Sequence, residues 1–76
     1  KWPNKLVVAK AYLDQLERSG TMTAANVLAV RAAIAKNDKK QMHKLGKKIE
    51  KLYNASFGPN GVRMRALAAI LKNPAE

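Results

Sequence analysis

The sequence predicts an all-α fold, a small bundle of three or four amphipathic helices. Three observations carry that expectation. Apolar residues recur at helical steps, most clearly over residues 38–53, where Met42, Leu45, Ile49 and Leu52 fall three, four and three residues apart. Caps and helix breakers stand between the periodic stretches, at Gly20, at Asn37-Asp38 and around Gly58-Pro59. No stretch shows the strict alternation of a strand with one buried face.

Trp2-Pro3-Asn4 leads into the first helix, with Asn4 as N-cap because its side-chain oxygen can take a free amide of the first turn. That helix is expected over residues 5–19, burying Leu6, Ala9, Leu13 and Leu16 with Tyr12 beside them. On its outer face Lys10–Asp14 and Asp14–Arg18 have i,i+4 spacing, worth about 0.2–0.5 kcal/mol a pair. Gly20 ends it by taking the left-handed conformation. The second helix starts at Thr21 or Thr23 and runs to about Lys36, with Val27, Val30 and Ile34 inward and Leu28 and a set of alanines flanking. Asn37-Asp38 separates it from the third, and Asp38 with Gln41 has capping-box spacing; one long kinked helix is the alternative.

The third helix ends near residues 54–56 and contains Gly46 at the edge of its apolar face. A glycine there costs about 1 kcal/mol against alanine, which a close helix crossing would explain. Residues 57–61, FGPNG, read as a loop. The fourth helix follows from about Val62 to Lys72, with Met64, Leu67, Ala68 and Leu71 buried and Val62, Ala66 and Ile70 widening the stripe, before Asn73-Pro74 stops it. Trp2 is expected to pack on its own helix, and Tyr12, Tyr53 and Phe57 at the core or its edge.

Seventy-six residues make one domain, of a size that buries only about 60% of its unfolded surface. The chain opens on Lys1 rather than Met, which points to a processed product or a domain of a longer protein. With no cysteine there is neither a disulfide nor a thiolate metal site, and the compartment stays open. The longest apolar run, residues 66–71, is far short of the roughly 20 residues that span a bilayer.

Charge is the uncommon property: fifteen Lys and Arg against five Asp and Glu, net +10. Such an excess opposes compaction by self-repulsion, and it suits an anionic partner. It is concentrated in residues 36–51, where seven lysines face only Asp38 and Glu50. Lys40, Lys44, Lys47 and Lys51 repeat at steps of four, three and four, opposite the Met42–Leu52 stripe and over about 16 Å of helix. With Lys48 they form the candidate nucleic-acid or polyanion site, since lysines that neutralise phosphates release condensed counterions. Arg63 and Arg65, just after a glycine-containing segment that opens a helix, are a second candidate phosphate contact. The segment FGPNGVRMRALAAIL loosely resembles the hairpin of helix-hairpin-helix DNA-binding modules. Its Gly58 and Gly61 are separated by two residues where that family has one, and the chain is not assigned to it.

Sequence-specific readout is poorly provided for. Lysine lacks the bidentate fork with which arginine reads guanine, and 5% aromatic content offers no evident stacking platform. Catalysis is provided for still less. His43, the only histidine, falls about 125° from the centre of the buried stripe, among lysines and with no carboxylate to orient it. Ser19 and Ser56 sit at helix ends, and the scattered acids form no paired or metal-binding set. The sequence therefore predicts a non-enzyme with no cofactor. The alternative is an accessory helical domain contacting a parent chain or partner protein, its lysines mere solvated charge. A membrane-active cationic peptide is a third reading, disfavoured by a mean hydropathy of −0.34.

Overall fold

The computed structural model describes residues 4–53 and 58–74. They form four helices and no strand: α1 (Lys5–Arg18), α2 (Ala24–Ala35), α3 (Lys39–Tyr53) and α4 (Pro59–Lys72). Trp2, Ser56 and Phe57 lie outside the described residues, as does the side chain of Tyr53.

Local chemistry sets each boundary. Asn4 caps α1, its Oδ1 accepting from the Leu6 amide at 2.8 Å. At the other end Gly20 adopts φ 75°. The Thr21 amide then reaches the Leu16 carbonyl at 3.0 Å, and the Gly20 amide reaches that of Glu17 at 3.1 Å. This is the paired closure of a Schellman motif. Thr23, not Thr21, caps α2, accepting from Asn26 N–H at 3.2 Å.

The α2–α3 corner repeats the motif with asparagine in place of glycine. Asn37 takes φ 53°, while the amides of Asn37 and Asp38 donate to the carbonyls of Ile34 and Ala33, both at 3.0 Å. Asp38 then turns to the next helix, its Oδ1 accepting from Gln41 N–H at 3.1 Å. One residue ends α2 with its backbone and begins α3 with its side chain. The left-handed residue makes these two helices and not one kinked rod. Asp38→Ala is expected to cost about 1 kcal/mol, read as a melting temperature about 4–8 °C lower.

α4 starts three residues earlier than the sequence suggests. Pro59, Asn60 and Gly61 form its first turn rather than part of a loop. Proline suits that position because the amide it lacks would have had no intrahelical partner.

The helices pack in a ring: α1 on α2, α2 on α3, α3 on α4, and α4 back on α1, with α3–α4 the most extensive pair. Leu13 and Leu16 from α1, Val27 and Val30 from α2, Met42 from α3, and Met64, Leu67 and Leu71 from α4 are fully buried. No described polar or charged side chain is buried. Gly46 sits where α3 meets α4: a Cβ there would lie 3.0 Å from the Ala68 carbonyl oxygen and 3.2 Å from Leu71 Cβ. The glycine anticipated as a close crossing is one.

Two expected core residues are outside the core. Leu52 is 41% exposed, because α3 runs past α2: Lys48 already reaches Asn26 in the first turn of α2. Val62 is 68% exposed. It stands about 160° around the helix from Met64, so it faces solvent. Ala66 and Ile70 are half-buried and do widen the stripe. Asp14 pairs with Arg18 at 3.1 Å, as its spacing suggests, and also with Arg31 of α2 at 3.9 Å.

Candidate polyanion interface

α3 is placed by its apolar face. Met42, Ile49, Leu45 and Gly46 are buried against the neighbouring helices, and that rotation decides where every lysine on the helix goes. His43 and Glu50 mark the edge toward α4: His43 Nδ1 lies 3.4 Å from the Lys72 carbonyl, and Lys72 Nζ donates to Glu50 Oε2 at 2.7 Å. Lys48 marks the edge toward α2, its Nζ donating to Asn26 Oδ1 at 3.4 Å. Between the two edges, Lys40, Lys44, Lys47 and Lys51 occupy an arc of about 60°. All four are exposed.

None of these four has an ion-pair or hydrogen-bond partner among the described residues. The nearby acids are engaged elsewhere: Asp38 caps α3 and Glu50 holds Lys72. Lys40–Lys44 and Lys47–Lys51 are i,i+4 like-charge pairs, each destabilising by about 0.2–0.5 kcal/mol. Lys39 and Lys40 also load the first turn of the helix, which carries no acid, with charge that its dipole disfavours. The ridge is thus a local electrostatic cost that a bound anion would relieve.

The predicted site residues divide. Lys40, Lys44, Lys47 and Lys51 form one row, and Lys48 stands about 40° beyond Lys44 on the α2 side. Arg63 and Arg65 do not act together, because residues two apart on a helix do not share a face. Arg65 is exposed and falls on the same side of α4 as Ala68 and Lys72, which meet α3. Arg63 is half-buried on the side of Leu67 and Ile70, and its guanidinium donates to Asn60 Oδ1 at 3.1 Å. Arg65 therefore stands on the α3 side of α4, and Arg63 stands on a different side.

His43 is exposed, as its spacing predicts, but the Lys72 carbonyl at the end of α4 is a partner that no sequence signal announces. No group of three or more His, Asp or Glu among the described residues could hold a metal ion. None of the described helices is long and apolar enough to cross a membrane. The chain matches no family model, no curated protein and no solved structure.

Proposed function

We propose that this chain is a non-enzymatic binding module that engages nucleic acid, or another polyanion, through the outward lysine row of α3. One observation carries the reading: Lys40, Lys44, Lys47 and Lys51 share one exposed arc on a packed helix and have no partners among the described residues. A row of ammonium groups at helical rises of about 6 and 4.5 Å meets successive phosphates without reading bases. Lys48 extends the row on its α2 side, and Arg65, on the α3 side of α4, is the arginine included in the proposed surface. Binding of this kind is sequence-independent and driven by counterion release.

The test is a salt series with a labelled DNA duplex and a labelled RNA hairpin. The expected result is binding at low salt with a steep fall in affinity as salt rises, and similar affinity for unrelated base sequences. Absence of binding at low salt overturns the proposal. The second reading, a domain contacting other proteins with its lysines simply solvated, draws on the exposed apolar side of α2, where Leu28 is 66% accessible. It predicts no phosphate affinity.

A further inference from the structure

We infer that His43 is a proton-dependent contact of the polyanion surface, so that acidification from about pH 8 to about pH 5.5 strengthens phosphate binding. The inference rests on the lysine-row reading and adds a regulation to it. His43 is exposed and stands next to the row: about 40° around α3 from Lys47 and about 60° from Lys40, one turn away from each. An anion lying on those two lysines therefore passes beside the imidazole.

The fold holds the ring by one edge. Its Nδ1 lies 3.4 Å from the carbonyl oxygen of Lys72, one of the last carbonyls of α4, which have no partner within their own helix. A carbonyl oxygen only accepts, so Nδ1 carries the hydrogen in the neutral ring as well as in the cationic one. Nε2 is left at the opposite edge, with no partner among the described residues. In the neutral ring Nε2 is a lone pair, which a phosphate oxygen avoids. In the imidazolium it is a charged N–H donor, which forms the shorter and stronger kind of hydrogen bond to a phosphate. The variable proton thus sits at the edge that α4 does not hold.

No other side chain competes for this role. Histidine is the only side chain that ordinarily changes charge between about pH 5 and 8, and this chain has one. The charged groups around it are Lys39, Lys40, Lys44, Lys47 and Glu50 of α3 and Lys72 of α4, with Glu50 held by Lys72 at 2.7 Å. A bound phosphate adds negative charge beside the ring, so protonation and binding favour each other reciprocally. The sign follows: the cation is the low-pH form, and affinity rises as pH falls.

The experiment is an anisotropy titration over a salt series at about pH 8 and about pH 5.5, with a DNA duplex whose ends carry no terminal phosphate. One added phosphate contact steepens the log–log salt slope by about 0.9, about fivefold in affinity at 0.15 M salt when extrapolated from 1 M. The unsubstituted chain is expected to show that gain on acidification. His43→Gln retains a donor for the Lys72 carbonyl but no titrating nitrogen, and is expected to show no gain. His43→Lys, charged throughout, is expected to show the steeper slope at both pH values. Both replacements are good helix formers at an exposed position. Calorimetry at about pH 6.5, in two buffers of different ionisation enthalpy, should show a fraction of a proton taken up on binding by the unsubstituted chain and none by His43→Gln. An equal pH response in those two proteins, or binding without proton uptake, overturns the inference and leaves the lysine row standing. Absence of binding at both pH values overturns the two together.

Discussion

Replacing Lys40, Lys44, Lys47 and Lys51 together by Gln is expected to lower affinity for a DNA duplex about a thousandfold near 0.15 M salt. Each phosphate contact contributes about 0.9 to the log–log salt slope, so losing four removes about 3.6. Extrapolated from 1 M, where the electrostatic contribution vanishes, to 0.15 M, that difference in slope amounts to about three decades. The measurement is a fluorescence anisotropy titration of both proteins across the salt range. A loss of fold is no alternative explanation, because the four side chains are exposed and glutamine is a good helix former. The substitutions also remove like-charge pairs, so the variant is expected to melt no lower than the parent chain. Identical slopes for the two proteins, with the helix content of both intact, would show that the row is solvated charge and end the proposal.

Gly46→Ala is expected to destabilise the fold by about 1 kcal/mol net, although alanine is the better helix former by about 1 kcal/mol. The new Cβ would lie 2.9 Å from Lys72 Cγ, 3.0 Å from the Ala68 carbonyl oxygen and 3.2 Å from Leu71 Cβ. The lysine methylene can swing aside. The carbonyl cannot, because it belongs to the backbone of α4, so the two helices must separate along their largest contact. Overpacking of this kind typically costs about 1–3 kcal/mol, enough to reverse the propensity gain. Thermal melting should show a midpoint lower by about 4–8 °C for a domain of this size. Gly46→Leu should be worse. A rise in melting temperature for Gly46→Ala would mean that intrinsic propensity wins and that α4 does not approach as closely as described.

The two substitutions separate the two roles of α3. One face holds the bundle together through a residue with no side chain; the other carries four charges that the fold does not need. Each change should leave the other property intact. Gly46→Ala lowers stability but retains the lysine arc in whatever fraction is folded, and the glutamine variant weakens phosphate affinity while the core stays packed.

Several features were legible in the residues because their cause is local. Asn4, Asp38 and Gly20 act within one turn of their own position, so capping and left-handed closure could be placed from sequence. The separation of core face from lysine face on α3 follows from helical rotation alone. The early start of α4 was less legible, since Gly-Pro-Asn-Gly is equally good chemistry for a loop and for a glycine cap with proline in the first turn.

Other features depend on partners distant in the chain. Leu52 obeys the periodicity of the buried stripe yet is exposed, because burial depends on whether α2 extends far enough to cover it. Asp14 has a helical neighbour in Arg18, but its second cation, Arg31, comes from another helix. Lys72 is claimed by Glu50, and its carbonyl meets His43, only because α3 and α4 cross at Gly46. The sequence by itself determined the all-α class, the caps at Asn4 and Asp38, the left-handed closure at Gly20 and the cationic row, all set by interactions within a few residues. The tertiary structure alone decided which cations lack a partner among the described residues, that Arg63 and Arg65 fall on different sides of α4, and that one side of α2 is exposed. Those outcomes depend on the relative placement of whole helices, which rests on packing between residues tens of positions apart.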